Sequence, residues 1–172
     1  MQALVDIVRS GKALYAGISN WPLEATQFAY KYLKEHDVPL LIYQGKLNLL
    51  NREPQQEGIL DFCADNGIGF ISFSPLAQGL LTDRYLNGIP QGSRMAKGEF
   101  LTQEMLTPQL LELLHSYNQM AQERGETLAE TALAWVLAQR GVTSVLVGAS
   151  STEQLEKNMR CVNAKNFSAN IL

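Results

Sequence analysis

Four apolar runs in this chain each end in a polar or glycine-containing corner, and a helical pattern follows every one of them. The runs cover residues 14–20, 40–44, 68–75 and 144–150. Repeated strand-then-helix order predicts parallel strands whose carboxyl ends lie along one edge of a sheet. Folds of this kind bind their ligands along that edge. We therefore expect the functional residues of this chain at the four corners.

Length and composition indicate what class of protein the chain belongs to. Its 172 residues are 46% hydrophobic and carry a net charge of −3, which suits one domain with a hydrophobic core. The mild acidity argues against nucleic acid as a partner. No run is apolar for long enough to span a membrane, and no signal peptide is recognisable. We expect a cytoplasmic protein without a metal site, in which Cys63 and Cys161 are buried and reduced.

Proline and glycine mark the predicted helices between the strands. One helix is expected to continue from about Pro54 until Asn66-Gly67 stops it, and the last strand is expected to end at Gly148. The last helix begins near Ser151, where Ser-Thr-Glu-Gln resembles a capping signal. The other predicted helices cover residues 1–10, 22–35, 108–124 and 128–139.

The segment from about residue 75 to 107 differs from the rest of the chain. It is rich in glycine, proline, serine and basic residues and shows no sustained periodicity. A structureless stretch of this length in a compact domain usually serves as a lid or binding loop. We therefore predict a long loop that covers a ligand.

The number of strand–helix units predicts the architecture. A closed (β/α)8 barrel usually needs about 250 residues, whereas this chain has four βα units preceded by one helix. We predict an α/β fold that forms the C-terminal half of a (β/α)8 barrel. Residues 1–172 would be a single partial domain.

The corner after the third run has the chemistry of a nucleotide site. Phe73 at a strand end can stack flat on a planar ring. The residues that follow offer backbone N–H groups, hydroxyls and a cation to phosphate. The alternative is a core phenylalanine followed by a turn at Pro75.

The other corners allow similar alternatives. Residues 148–151 lead into a helix and would let a phosphate approach its N-terminus, although an ordinary helix cap also fits. Ser19, Asn20 and Gln44 could bind a carboxamide through paired donors and acceptors, or they could be turn and cap residues. Their joint placement on one edge favours ligand binding.

Several separate blocks, in order, resemble the C-terminal half of the aldo-keto reductase family. The similarity is to the branch that holds bacterial glyceraldehyde-phosphate reductases and the β subunits of potassium channels. The blocks are Gly17-Ile-Ser-Asn, Asn48-Leu-Leu-Asn-Arg, Phe73-Ser-Pro-Leu-Ala-Gln-Gly-Leu-Leu-Thr, Asn87-Gly-Ile-Pro-Gln-Gly-Ser-Arg and Val147-Gly-Ala-Ser. The resemblance extends from Gly11 to about Ser168.

The resemblance implies that the strand ends bind NADP(H). Ser19, Asn20 and Gln44 would hold the nicotinamide carboxamide, and Phe73 would stack on the nicotinamide ring. The parent reaction would be hydride transfer to an aldehyde or ketone.

The resemblance assigns the phosphates and the adenosine to the later corners. Thr82 and Arg84 would close over the pyrophosphate. Arg94 and Ser150 would meet the adenosine 2′-phosphate, which favours NADP over NAD. The remaining implied cofactor-binding residues lie along the pyrophosphate path, at the last corner and beside the adenine: Ser74, Pro75, Leu76, Ala77, Gln78, Gly79, Gly148, Gln154 and Asn158.

The chain departs from the family's pattern at one residue and in one three-residue turn. Lys157 stands where this branch usually has glutamate near the adenine. Gly45-Lys46-Leu47 replaces a Pro-Ser-Tyr-like turn, which changes the wall of the substrate pocket.

The family's catalytic tetrad of Asp, Tyr, Lys and His is implied to come from the first half of the barrel. This chain has no Asp followed five residues later by Tyr. Of its two histidines, His36 lies at a predicted helix end just before Pro39 and His115 lies inside a predicted helix. We expect the isolated chain to be inactive until the missing half is supplied. The alternative is a non-catalytic, self-associating half-barrel that binds nucleotide or a protein partner. In either case we expect a homo-oligomer.

Overall fold

The computed structural model of the chain describes residues 1–98, 101–165 and 167. The chain divides into two compact units. The first unit contains Met1–Leu47, Asn51–Phe73 and Gln139–Leu146. The second unit contains Asn48–Leu50, Ser74–Ala138 and the segment from Val147 on.

The first unit contains four strands and four helices. The strands are β1 (Ala16–Ser19), β2 (Leu40–Lys46), β3 (Gly69–Phe73) and β4 (Val142–Val145). The helices are α1 (Gln2–Arg9), α2 (Leu23–Glu35), α3 (Glu53–Gln56) and α4 (Ile59–Asp65). All neighbouring strands are parallel, in the order β1-β2-β3-β4. The predicted parallel α/β sheet is therefore confirmed.

The two faces of this sheet differ in burial. The strand register places Ile18, Tyr43, Gly45, Phe70 and Ser72 on one face, and all of them are buried. Helices α2, α3 and α4 pack against strands β2 and β3. The other face, which we call the open face, has no buried residue at its register-paired positions: Gly17, Ser19, Ile42, Gln44, Lys46, Gly69, Ile71, Phe73 and Ser144.

Two stacked rings form the centre of the buried face. The ring centroids of Tyr43 and Phe70 are 5.5 Å apart, and their planes differ by 15°. Gly45 is the next residue of β2 on this face, and it lies directly beside the two rings. A Cβ atom at Gly45 would lie 2.7 Å from Cζ of Phe70 and 2.9 Å from Cε1 of Tyr43. Only glycine fits there without displacing the rings.

The structure corrects two of the predicted element boundaries. The helix predicted from Pro54 to Asn66 is broken into α3 and α4, because Gly58 between them has a left-handed φ of 77°. The last strand ends at Val145, whereas we expected it to reach Gly148. Leu146 still donates its backbone N–H to the carbonyl oxygen of Ser72 in β3 at 2.8 Å, and the strand pairing stops there.

The second unit is mainly helical. Its helices are α5 (Arg94–Lys97), α6 (Pro108–Arg124), α7 (Leu128–Leu137) and α8 (Thr152–Met159). Short 3₁₀ turns cover Ala77–Gly79, Asp83–Tyr85, Gln103–Met105 and Arg160–Asn163. Helix α7 begins at a capping box in which Thr127 and Glu130 bond each other's backbone N–H groups, and most of its residues are buried.

The segment from 75 to 107 is not structureless, which corrects our expectation. Besides α5 it contains three of the 3₁₀ turns, and Leu81, Tyr85, Met95 and Leu101 are at most 2% exposed. These side chains give the segment a packed interior. Elements of three or four residues are too short to produce a periodic pattern, so the sequence did not reveal them.

The other composition-based expectations concern cysteines, metals and membranes. Cys63 and Cys161 are buried and unpaired, as predicted. Within residues 1–98, 101–165 and 167, no group of His, Cys, Asp or Glu is placed to hold a metal ion. In the same part of the chain, no helix is long and apolar enough to cross a bilayer.

Replacing Gly45 by alanine tests the packing of the buried face. The added methyl group must push the Phe70 ring aside, so we expect a loss of about 1–3 kcal/mol in the free energy of unfolding. Urea unfolding followed by circular dichroism measures this loss. The control is Gly148→Ala, since a Cβ at Gly148 meets nothing within 4 Å. Equal stability of the two variants would contradict the packing described here.

Candidate functional site

Three predicted ligand residues meet at the ends of β1 and β2. Ser19 and Gln44 are register partners, and both lie on the open face. The backbone N–H of Asn20 donates to the carbonyl oxygen of Gln44 at 3.1 Å, and its side-chain Nδ2 donates to Oγ of Ser19 at 3.3 Å. The two amides and the hydroxyl therefore form one cluster of hydrogen-bonding groups.

Tyr43 holds this corner from the buried face. Its hydroxyl donates to the carbonyl oxygen of Trp21 at 2.6 Å, directly after the Ser19-Asn20 pair. Burial, followed by the charges of Cys63 and Glu57, raises the pKa of Tyr43 to about 12. The phenol therefore stays protonated and keeps donating. Asn20 itself has a left-handed φ of 57°.

Phe73 is the last residue of β3 and also lies on the open face. Its register partner is Lys46, and its side chain is half-buried. The parallel register thus places an aromatic ring on the same face as the Ser19, Asn20 and Gln44 cluster. These four predicted residues all belong to the first unit.

The second unit contains the strained turn that follows Phe73. Ser74, Ala77 and Gln78 have left-handed φ values of 51°, 46° and 59°. The described residues contain only two other non-glycine residues of this kind, Asn20 and Asp37. Four of these five residues are therefore ones we predicted to bind ligand. Such strain concentrates at functional sites because the surrounding structure must maintain it.

Asn48 holds the start of this turn and was not predicted as a functional residue. Its side chain is fully buried, and its Nδ2 donates to the carbonyl oxygen of Ser74 at 2.9 Å. Its Oδ1 accepts from the backbone N–H of Leu50 at 2.9 Å. The block Asn48-Leu-Leu-Asn-Arg was the available sequence signal, but spacing alone does not show which backbone group an asparagine will bind.

Thr82 and Arg84 lie close to the end of the turn. The Thr82 hydroxyl donates to the carbonyl oxygen of Gly79 at 2.7 Å and accepts from the backbone N–H of Arg84 at 3.2 Å. Arg84 is exposed. Among the described residues no carboxylate pairs with its guanidinium, which is therefore available to an anion.

Arg94 begins α5, after the cap residue Ser93. The Ser93 hydroxyl is buried and accepts from the backbone N–H of Ala96 at 3.2 Å. Arg94 is exposed, and within the described part of the chain its guanidinium has no acidic partner. A second unpaired cation thus stands in the segment predicted to cover the ligand.

The last corner joins Ser150 to α8. Both the backbone N–H and the hydroxyl of Ser150 donate to Oε1 of Gln154, at 2.8 and 3.0 Å. The Ser151 hydroxyl caps the helix by accepting from the Gln154 N–H at 3.2 Å, which confirms the predicted cap. Gly148 has open space where a side chain would stand.

Asn158 is buried on α8, and its Nδ2 has no hydrogen-bond partner among the described residues. An unpaired buried amide is costly and normally has a partner. Lys157, the unusual residue beside it, pairs with Glu153 at 2.8 Å. Nδ2 of Asn158 is therefore a buried donor that no described residue uses.

The two histidines lie away from the strand ends. The ring of His36 stacks on Tyr32 at the end of α2, with Nδ1 2.7 Å from the Tyr32 carbonyl oxygen. His115 is exposed in the middle of α6. Neither is placed to act at a strand end.

The family model for aldo/keto reductases matches residues 1–170. The chain belongs to the aldo/keto reductase family. It is 52% identical over 170 residues to the L-glyceraldehyde 3-phosphate reductases of Escherichia coli K12 and Escherichia coli O157:H7. The match covers 96% of this chain and 49% of each relative. The chain thus spans about half the length of the curated relatives it matches.

A solved structure supports the same fold. A thermostable aldo-keto reductase, crystallised with the inhibitor epalrestat, matches this aldo/keto reductase chain with a TM-score of 0.70 and 24% identity. The match covers 96% of this chain and 49% of the other. At this identity the likeness shows the fold alone.

The residues present fit the nicotinamide cofactor that this family generally uses. In the part of the chain that the structure describes, Arg84 and Arg94 have no acidic partner, and Nδ2 of the buried Asn158 has no hydrogen-bond acceptor. The first unit adds a half-buried ring at Phe73 and the hydrogen-bonding cluster at Ser19. Taken separately, the second unit offers charged and amide donors that suit an anion, and the first unit offers a ring and hydrogen-bonding groups that suit a planar amide.

Removing the Tyr43 hydroxyl tests how the first corner is held. Tyr43→Phe loses the bond to Trp21, so we expect about 1 kcal/mol less stability at neutral pH. Because the folded-state pKa is raised from 10.0 to about 12, the wild-type chain should lose stability as the pH rises between these values. The variant should lose less over that window.

Urea unfolding at pH 7, 10, 11 and 12 measures both effects. The Tyr32→Phe variant is the control, because the Tyr32 hydroxyl also donates a hydrogen bond, to Oε1 of Gln2, but the side chain is less buried. If the free energy of unfolding falls as steeply with rising pH in Tyr43→Phe as in the wild type, the Tyr43 hydroxyl is not the group that titrates in this range.

Proposed function

We propose that this chain is the cofactor-binding half of an NADP(H)-dependent aldo-keto reductase that reduces aldehydes or ketones. The observation that carries the proposal is the open face of the sheet, where Ser19, Gln44 and Phe73 lie together at the carboxyl ends of parallel strands. A four-stranded sheet with one uncovered face fits half of a closed barrel. Family membership supports this function.

The nicotinamide end of the cofactor belongs to the first unit in this proposal. Ser19, Asn20 and Gln44 offer a hydroxyl and two amides, which match a carboxamide's donor and acceptor. Phe73 offers a flat surface for the ring. Bound NADPH supplies the hydride, and these four residues orient the ring from which it leaves.

The pyrophosphate belongs to the strained turn of the second unit. Residues 74–79 present a fixed backbone, maintained by Asn48 and by the Thr82 hydroxyl. Arg84 supplies the charge for the phosphate oxygens. These two hydrogen bonds limit how far the turn can move when the ligand arrives, which keeps the entropic cost of binding small.

The adenosine end would be bound by Arg94, Ser150, Gln154 and Asn158. Arg94 and the Ser150 hydroxyl together suit a 2′-phosphate, so we propose NADP(H) rather than NAD(H). The side chain of Gln154 already contacts Ser150, which places it beside this group. The unpaired amide of Asn158 would bond the adenine.

The isolated chain lacks the residues for proton transfer. Reduction of a carbonyl needs a positioned acid as well as a hydride, and this sequence has no Asp-x4-Tyr pair. We propose that activity requires the other half of the barrel. The open face favours the alternative of a self-associating half-barrel, because none of its nine register-paired positions is fully buried, whereas five positions of the opposite face are.

Lys46 indicates the substrate class. It is the one charged residue among the register-paired positions of the open face, and no described residue pairs with its ammonium group. A cation that becomes enclosed in a barrel needs an anion nearby. The similar Escherichia coli protein is named for a phosphorylated aldehyde. We propose that Lys46 binds an anionic group of the aldehyde substrate.

The cofactor preference can be tested on the chain itself. NADPH should bind more tightly than NADH, measured by fluorescence titration, because only NADPH carries the 2′-phosphate. Arg94→Ala should weaken NADPH binding by about 1.5–3 kcal/mol, the value of a charge-assisted contact, and leave NADH binding unchanged. Lys97→Ala, at the other end of α5, is the matched control. Equal affinity for both cofactors, unaffected by Arg94→Ala, would rule out this role.

Activity can be tested by supplying the other half. The isolated chain should reduce aldehydes at less than one hundredth of a typical kcat of about 10 s⁻¹. Co-expression with the N-terminal half of the Escherichia coli relative should give a soluble heterodimer with NADPH-dependent reductase activity. Gln44→Ala and Phe73→Ala should lower its kcat. A heterodimer that binds NADPH but is insensitive to both changes would disprove the nicotinamide placement.

The same heterodimer tests the role of Lys46. Lys46→Gln should raise KM for glyceraldehyde 3-phosphate by about tenfold, the effect of losing one charge-assisted bond. It should leave KM for unphosphorylated glyceraldehyde unchanged, and Lys46→Arg should restore most of the difference. If KM rises equally for both substrates in Lys46→Gln, Lys46 has a structural role only.

A further inference from the structure

Tyr85 carries a buried hydroxyl that the proposed function does not use. The side chain is completely buried, and its hydroxyl has no hydrogen-bond partner among the described residues. The comparably buried Tyr43 instead bonds the Trp21 carbonyl oxygen at 2.6 Å. A phenyl ring would fill the same space as Tyr85 without leaving a polar atom unpaired. The hydroxyl therefore needs a partner in some other state of the protein.

The hydroxyl end of Tyr85 lies beneath the strained turn. A Cβ atom on Gly79 would be 3.7 Å from Cε2 of Tyr85, the ring carbon beside the one that bears the hydroxyl. Gly79 has a φ of 102° and follows the left-handed residues Ala77 and Gln78. Two unfavourable features, backbone strain and an unpaired hydroxyl, thus occur side by side.

A change in the turn can remove both features. The N–H and C=O of one peptide group point in opposite directions. In this structure the N–H of Gly79 donates to the carbonyl oxygen of Leu76 at 2.8 Å. An anion that draws this N–H outward would turn the carbonyl oxygen of Gln78, in the same peptide group, the opposite way. The Tyr85 hydroxyl would then have an acceptor in reach.

We propose that Tyr85 is a positioning residue for binding of the dinucleotide phosphates by the 77–79 turn. Its hydroxyl donates to a backbone carbonyl of the turn in the ligand-bound state and has no partner in the free state. Ligand binding thereby gains one hydrogen bond that the free protein lacks. This role rests on the proposed function, because the anion is the pyrophosphate of the cofactor.

Tyr85→Phe in the full chain tests the proposal through two readouts. Without nucleotide, the variant should unfold at a higher urea concentration than the wild type, because the unpaired hydroxyl is gone. With NADPH, it should bind about fivefold more weakly, since one neutral hydrogen bond is missing. A residue that only fills space would not change stability and affinity in opposite directions.

Tyr43→Phe is the matched control for stability. Its hydroxyl is paired, so removing it should lower the urea midpoint, whereas Tyr85→Phe raises it. A lower midpoint for Tyr85→Phe would show that its hydroxyl already has a partner, which overturns the proposal. A more stable variant that binds NADPH like the wild type overturns it as well.

The wild-type titration separates this proposal from the one on which it rests. A wild-type chain that binds NADPH supports the proposed cofactor, whatever Tyr85→Phe does. A wild-type chain that binds neither NADPH nor NADH contradicts the cofactor proposal, and the role of Tyr85 is then wrong too.

Discussion

The unequal packing of the two sheet faces is the constraint on which the candidate site depends. On one face the Tyr43 and Phe70 rings stack, and Gly45 leaves them the space to do so. Because side chains alternate along a strand, burying Tyr43 turns Gln44 to the open face. The parallel register then places Ser19 opposite Gln44. The register of the parallel strands therefore sets both the packing of the core and the positions of the predicted ligand residues.

The predicted phosphate-binding turn of the second unit depends mainly on its backbone conformation. Ser74, Ala77 and Gln78 adopt left-handed φ values that side chains disfavour. The buried side chain of Asn48 fixes the start of this turn by donating to the Ser74 carbonyl oxygen. The Thr82 hydroxyl fixes its end by donating to the Gly79 carbonyl oxygen. The N–H groups of Ala77, Gly79 and Leu80 also donate to carbonyl oxygens within the turn. A backbone fixed in this way loses little entropy when a ligand arrives. In our proposal arginine side chains supply the charge for the phosphates.

The open face connects the chemistry of this chain with that of its relatives. The relatives are about twice as long, and the matched region covers 49% of each. A half-barrel can retain the strand ends that bind a cofactor while lacking the residues that protonate a carbonyl. Lys46 adds a charge to a face that is otherwise polar or apolar. In our proposal the cofactor binds to this half, and proton transfer belongs to the other.

The sequence by itself determined the order of strands and helices, the parallel sheet and the cap at Ser151, because these depend on local periodicity and on neighbouring residues. It also brought Ser19, Asn20 and Gln44 to one edge, since parallel strands end together. Only the tertiary structure decided the break at Gly58, the packed interior around Leu81, the left-handed turn and the unpaired hydroxyl of Tyr85. These features depend on contacts between residues that are distant in sequence, or on elements shorter than one period. No local pattern encodes them.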